Sequence, residues 1–220
     1  AVYITSPDYL GNISDVKQIA NVCKKYNTLL FVDNAHGAYL KFLQTSKHPI
    51  DLGADLCCDS AHKTLPVLTG GAYLHISKNA PAVLLGQAER AMELFASTSP
   101  SYIILQSLDL ANRYMTEGYA ERLQQFTESV VILKTRLADK GFVLCGNEPL
   151  KLTIAPKSYG YTGTDFARIL SASGIECEFS DPDYVVMMLT PEIGAEALNK
   201  IFTTITAVEK QVPLFSAPPR

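Results

Sequence analysis

Hydrophobic and polar residues alternate with two different periods in the first third of the chain. Residues 28–32 and 54–58 are short, mostly apolar runs, which are typical of strands whose two faces are both covered. Between residues 2–5 and the first of these runs, apolar residues recur at helical spacing. We expect Ser14 to cap that helix and its apolar face to be Val16, Ile19, Ala20, Val22 and Cys23. The order strand, helix, strand, crossover, strand predicts an α/β fold with a mainly parallel sheet.

The pattern changes after residue 76. Gly70 and Gly71 allow a tight turn into a further strand at residues 72–76, and helical periodicity then runs from residue 82 to about 137 with a break at 97–102. Strands are predicted at residues 142–145, 151–155, 175–179 and 184–189, with helices at 164–172 and 192–208. These segments predict a small α+β domain, so we place one domain at residues 1–140 and a second at 141–220.

Composition and charge exclude several classes of partner. The 220 residues are 47% hydrophobic and 19% charged, with a net charge of -3 and a pI of about 5.8. This composition is that of a globular protein, and it lacks the basic surface that nucleic acid or an anionic membrane would need. We therefore expect no nucleic-acid partner and no membrane partner.

The cysteines and the apolar segments point to the cytoplasm. Five cysteines, with no Cys-x-x-Cys spacing, are typical of reduced and buried thiols. No apolar segment approaches the roughly 20 residues of a membrane helix, and no export signal precedes the first strand.

Both ends of the sequence suggest a piece of a longer protein. Residues 1–5 already have the pattern of a strand, and the proline-rich segment 212–220 is typical of a connection to something further on.

Two polar residues at strand ends carry the candidate chemistry. Asp33 closes the apolar run of the second strand, and Lys63 lies in a small polar turn after the third. Pyridoxal phosphate needs a lysine amine that holds its aldehyde as a Schiff base, and a carboxylate that keeps its ring nitrogen protonated. Ligands of open α/β sheets bind beyond the carboxyl ends of the parallel strands, where both residues are predicted. Taken singly, Asp33 could cap a turn and Lys63 could be a solvated loop lysine, but together they predict a site for this cofactor.

Other chemistry has weaker support. The histidines at positions 36, 48, 62 and 75 lack the spacing of a metal site, so we expect no metal. No phosphate-binding glycine loop is present, and Ser60 lacks the Gly-x-Ser-x-Gly surroundings of a hydrolase nucleophile.

Five motifs together resemble a known family. They are Ser-Pro-Asp-Tyr at residues 6–9, Val-Asp-Asn-Ala-His-Gly-Ala at 32–38, Leu-Gly-Ala-Asp at 52–55, Ser-Ala-His-Lys-Thr-Leu at 60–65 and Ser-Thr-Ser-Pro-Ser-Tyr at 97–102. In order and approximate spacing, this set resembles the bacterial ornithine/lysine/arginine decarboxylases of the aspartate-aminotransferase fold. The resemblance covers most of the first 110 residues, whereas the second domain is similar only in layout.

The resemblance implies a role for each site residue. Lys63 would carry the cofactor, Asp33 would pair with its ring nitrogen, and the Ala35 methyl would pack on one ring face. Ser60 and His62 would contact the phosphate, and His36 would reach the cofactor or the substrate. Thr98 would reach the phosphate of a neighbouring subunit, so that a homodimer with shared sites is the expected minimal unit.

The family's activity gives the leading functional hypothesis. It is the decarboxylation of ornithine, lysine or arginine to an amine and CO2, with a role in polyamine biosynthesis. Another enzyme of the same fold, such as an aminotransferase, an aldolase or a carbon–sulfur lyase, would use Asp33 and Lys63 equally well. A non-catalytic homologue is a third possibility, because the family's phosphate-gripping loop, its ring-stacking residue and its C-terminal domain lie outside this chain.

Overall fold

The computed structural model describes residues 1–214, so most of the predicted proline-rich exit lies outside the described residues. The chain forms two compact units. The first comprises residues 1–8 and 14–121, and the second comprises residues 9–13 and the chain from 122 onward.

The first unit contains a four-stranded sheet in the order β1-β2-β3-β4. Strands β1 to β3 are parallel, and β4 runs antiparallel to β3. The predicted mainly parallel sheet is therefore confirmed. The strands are β1 (Val2–Thr5), β2 (Leu30–Asp33), β3 (Leu56–Asp59) and β4 (Tyr73–Ile76).

Helices connect these strands and continue beyond the sheet. The connecting helices are α1 (Val16–Lys25), a 3-10 turn (Ala38–Phe42), α2 (Pro49–Leu52) and α3 (Ala61–Thr64). The long helical region consists of α4 (Ala82–Phe95), α5 (Tyr102–Thr116) and α6 (Tyr119–Asp139), and its predicted break at residues 97–102 is present. Within residues 1–214, no helix combines the length and apolarity that crossing a membrane requires.

Helix α1 covers one face of this sheet. Its N-cap is Asp15, whose carboxylate accepts the Gln18 N–H at 3.0 Å, so the cap predicted at Ser14 is wrong by one residue. The buried face packs on β2 and on the segment just before β3 in one apolar cluster, whose buried members are Val16, Ala20, Cys23, Leu30, Val32 and Ala54. Val22, predicted on this face, is instead 56% exposed.

Burial in β2 alternates instead of being continuous. Leu30 and Val32 are buried towards α1, whereas Phe31 and Asp33 on the opposite face are only half-buried. The prediction that this strand is covered on both faces is therefore wrong for this chain, because α1 packs on one face only. The half-buried face is the one on which Asp33 lies.

The second unit contains an antiparallel sheet in the order β5-β6-β8-β7. Its strands are β5 (Val143–Cys145), β6 (Lys151–Ala155), β7 (Phe179–Ser180) and β8 (Val185–Met188). Its later helices are α7 (Gly163–Ala172) and α8 (Gly194–Thr206). The boundary proposed near Gly141 lies between α6 and β5, whereas the two compact units divide inside α6, after Glu121.

Two valines of α1 offer a matched test of this packing. Val16 is 2% exposed and Val22 is 56% exposed. Val16→Ala should lower the free energy of unfolding by about 2 kcal/mol, because it removes two buried methyl groups and leaves a cavity. Val22→Ala should change it by less than about 0.5 kcal/mol. Urea unfolding followed by circular dichroism measures both, and equal losses would contradict the assignment of the buried face.

Candidate active site

The ends of β2 and β3 bring the predicted residues to one edge of the sheet. Asp33, the last residue of β2, is in register with Cys58, and β3 ends one residue later at Asp59. Because the two strands are parallel, the segments that follow them leave the sheet on the same side. Residues 33–36 and 60–63 are therefore neighbours in space, although about 27 residues separate them along the chain.

Lys63 and His36 are in direct contact at this edge. The Lys63 Nζ lies 2.9 Å from His36 Nε2, the lysine is half-buried, and His36 is 4% exposed. Among the described residues, no carboxylate forms a salt bridge with Lys63. The amine therefore faces an imidazole and not a carboxylate.

Asp33 is oriented by its own turn. Its Oδ1 accepts the backbone N–H of Ala35 at 3.0 Å, and the Tyr3 hydroxyl on β1 donates to its Oδ2 at 3.4 Å. Burial, together with the negative charge of Asp33, raises the pKa of the Tyr3 hydroxyl, so that this group keeps its proton and acts as a donor. Tyr3 is a neighbour of Asp33 that the sequence pattern did not indicate.

Ser60 and His62 begin the short helix α3. Ser60 is its N-cap residue, but the serine side chain forms no capping hydrogen bond. The ring of His62 donates through Nδ1 to the carbonyl of Gly71 at 2.9 Å, because a carbonyl can only accept. The other ring nitrogen, Nε2, can donate to an anion only when the ring carries a second proton.

Thr98 is separate from the other predicted residues. It is exposed in the loop between α4 and α5, and among the described residues no hydrogen bond joins it to them. Its contact with the phosphate of a neighbouring subunit stays a prediction.

A buried polar cluster that the sequence did not predict lies beside this edge. Asp59 is 3% exposed, and its Oδ2 lies 3.0 Å from both His48 Nε2 and His75 Nε2. Its Oδ1 accepts the side-chain amide of Asn34 at 2.8 Å. Burial alone would raise the pKa of Asp59, but hydrogen bonds from His48, His75 and Asn34 bring it well below its ordinary value. In the sequence, Asp59 could have been noticed in the same way as Asp33, because both are acidic residues at the end of a strand. No spacing in the sequence links the two histidines to Asp59.

The donor set fits pyridoxal phosphate. A half-buried amine, a carboxylate fixed at a strand end, a serine hydroxyl without a capping bond and an imidazole are the groups that its aldehyde, ring nitrogen and phosphate require. Ala35, half-buried beside Asp33, presents only a methyl group, which suits packing against a flat ring.

The buried carboxylate predicts a pH dependence of stability. Because the folded-state pKa of Asp59 is lowered, its stabilising effect is complete above the unfolded-state pKa of about 4 and decreases as the pH falls towards the folded-state pKa. Asp59→Asn should lower the free energy of unfolding by about 2–3 kcal/mol at pH 7, and this loss should shrink towards pH 3. A chelator keeps the chain free of metal ions during the measurement. Urea unfolding across that range measures it, and a difference independent of pH would contradict an ionised Asp59.

Comparisons with known proteins agree with this geometry. A family model described as "Orn/Lys/Arg decarboxylase, major domain" matches residues 1–150. An uncharacterized protein of Bacillus subtilis, YaaO, is 31% identical over 208 residues, which cover 89% of this chain and 42% of that protein. A Bacillus subtilis arginine decarboxylase is 28% identical over 228 residues, which cover 95% of this chain and 45% of the enzyme. The chain thus spans less than half the length of these curated relatives.

A solved structure supports the fold. The Francisella novicida lysine decarboxylase LdcF superposes with a TM-score of 0.74 at 18% sequence identity, covering 92% of this chain and 35% of that one.

The family match extends over more than half of the chain. It confirms the predicted resemblance, and with it the fold type and pyridoxal phosphate as the cofactor. The chain therefore belongs to the Orn/Lys/Arg decarboxylase family.

Proposed function

We propose that this chain supplies the cofactor-anchoring part of a decarboxylase that converts a basic amino acid to the corresponding amine and CO2. The observation that supports this best is the contact of 2.9 Å between Lys63 Nζ and His36 Nε2, at the same sheet edge as Asp33. When bound, pyridoxal phosphate supplies an aldehyde that condenses with amines and a ring that accepts the electron pair left by the departing carboxylate.

Lys63 and His36 form the proton-transfer pair in this proposal. The lysine amine must be unprotonated to form its bond with the cofactor, and His36 Nε2 is close enough to accept a proton from it. The same contact would return a proton to Nζ whenever the lysine amine is free. Burial of His36 keeps bulk water from competing for this exchange.

Asp33 would keep a proton on the ring nitrogen of the cofactor. Its carboxylate is fixed by the Ala35 N–H at 3.0 Å, so its orientation is set before the cofactor binds. A negative charge beside the ring nitrogen favours the protonated form and so favours electron uptake by the ring. Ser60 and a protonated His62 would bind the phosphate, and Thr98 of the partner subunit would complete that contact in a homodimer.

The family match supports a basic amino acid as the substrate class. The 28% identical relative is named an arginine decarboxylase, which favours arginine as the first substrate to test, before lysine and ornithine. The product would then be a basic amine, consistent with a role in polyamine biosynthesis. A cytoplasmic location stays a prediction from the sequence.

Borohydride reduction tests the anchor. After incubation with pyridoxal phosphate and reduction, peptide mass analysis should find one modified lysine, Lys63, and Lys63→Ala should lose the adduct. Lys78→Ala removes an exposed lysine on the same unit and should leave the adduct unchanged. A preferred adduct at another lysine, in this chain or in the longer protein that contains it, would overturn the assignment.

Turnover tests the role of Asp33 in the longer protein. Asp33→Ala should lower kcat for decarboxylation by about 10²-fold or more, because the ring nitrogen loses the charge that keeps it protonated. Cofactor binding, followed by its visible absorption, should weaken much less.

Asp139→Ala, on the exposed side of α6, serves as the matched control. Equal small losses of kcat and binding would contradict the role, and conversion of a keto acid without release of CO2 would show an aminotransferase instead.

A further inference from the structure

Three ligand atoms converge on the face of the sheet opposite Asp33. His48, Asp59 and His75 each offer one ligand atom, and these atoms all lie within 4.8 Å of one another. His48 Nε2 and His75 Nε2 are each 3.0 Å from Asp59 Oδ2. Successive residues of a strand point to opposite faces. Because Asp33 is in register with Cys58, Asp59 points away from the face that carries Asp33.

The three residues come from three separate elements. His48 is the N-cap of α2, Asp59 ends β3, and His75 lies in β4, where its neighbour Leu74 pairs with Cys58. Two imidazoles and one carboxylate are a ligand set that Zn²⁺ and similar divalent transition metals use. We propose that His48, Asp59 and His75 bind one such ion, with Zn²⁺ as the representative metal.

The carboxylate is oriented as a ligand. Two donors bind its other oxygen, Oδ1, namely the Asn34 amide at 2.8 Å and the Cys57 thiol at 3.3 Å. Oδ2 is therefore directed at the two histidines. Such supporting hydrogen bonds typically fix the ligands of metal sites and strengthen them.

The separations suit zinc with a small adjustment. Bonds of about 2.0–2.2 Å to nitrogen and oxygen place tetrahedral ligands about 3.3–3.6 Å apart. Each histidine nitrogen lies 3.0 Å from Asp59 Oδ2, so each nitrogen–oxygen separation would need to widen by about 0.3–0.6 Å. An ion between the three atoms would replace these hydrogen bonds with metal–ligand bonds.

The tautomer of His48 must change when an ion binds. The Ile50 N–H donates to His48 Nδ1 at 3.4 Å, so the neutral ring carries its proton on Nε2, directed at Asp59. Metal binding moves that proton to Nδ1 and gives up the Ile50 contact, with no net proton released. A hydrogen bond of this length is at the weak end of the range, so its loss costs little beside the bonds gained.

The site is accessible from one side. The side chains of His48 and Asp59 are 5% and 3% exposed, whereas that of His75 is 38% exposed. The same three residues line a cavity of about 470 Å³, whose other walls include Lys41, Tyr73 and Asn112. An ion could enter through this cavity, and water or a small anion could take its fourth position there.

The proposal is independent of the decarboxylase activity, although the two sites share one strand end. Ser60 follows Asp59 directly, and Asn34, which follows Asp33, donates to Asp59. An ion at Asp59 would therefore stabilise the two segments that carry the cofactor residues. Its expected effect on this chain is therefore stabilisation of the fold.

Equilibrium dialysis of the metal-free chain against Zn²⁺ tests the site. We expect one ion per chain, a Kd that is micromolar or tighter, and a rise in Tm when Zn²⁺ is present. Replacement with Co²⁺ should give the strong visible absorption of a site with four or five ligands. His75→Ala should weaken binding by at least about 10-fold, and because His75 is partly exposed this variant should still fold. Asp59→Asn should weaken it at least as much.

Two variants serve as matched controls. His62→Ala removes a histidine outside the cluster, and Asp139→Asn removes an exposed carboxylate. Both should keep the Kd within about twofold of the unaltered chain. The proposal is overturned if the unaltered chain shows no saturable binding, if His75→Ala and Asp59→Asn bind as tightly as it does, or if His62→Ala loses as much affinity as they do.

Discussion

The candidate site depends on the parallel pairing of β2 with β3. Its register sets Asp33 against Cys58, so the two strands end within one residue of each other at the same edge. The carbonyl of Cys58 also accepts the backbone N–H of Asn34 at 2.9 Å, which continues the pairing just beyond the strand. Without this register, Lys63 and His36 would not be close enough for the contact of 2.9 Å.

The same edge carries two carboxylates in contrasting environments. Asp33 lies on the half-buried face and is held by one backbone N–H and the distant Tyr3 hydroxyl. Asp59 lies on the opposite face, where burial would disfavour its charge if His48, His75 and Asn34 did not donate to it. Alternation along the strands thus separates a carboxylate available to a cofactor from one already surrounded by imidazoles.

Several details of packing departed from the sequence pattern for local reasons. The cap of α1 is Asp15 because a carboxylate in that position reaches the Gln18 N–H, one residue after the serine that also has capping chemistry. Val22 is exposed although it is apolar, since only the side of α1 that carries Val16 and Ala20 faces the sheet. Apolar composition alone does not show which face of a strand or helix another element covers.

The sequence by itself determined the order of strands and helices, the mainly parallel sheet and the placement of Asp33 and Lys63 at strand ends. These features depend on local signals, namely short apolar runs and the polar residues that end them. Only the tertiary structure decided that His36 contacts Lys63 and that His48 and His75 meet at Asp59. The last two lie 11 and 16 residues from Asp59 along the chain, and they converge because α2 and β4 both lie beside the end of β3. A cluster made by the packing of separate elements leaves no fixed spacing in the sequence, and for that physical reason the sequence could not reveal it.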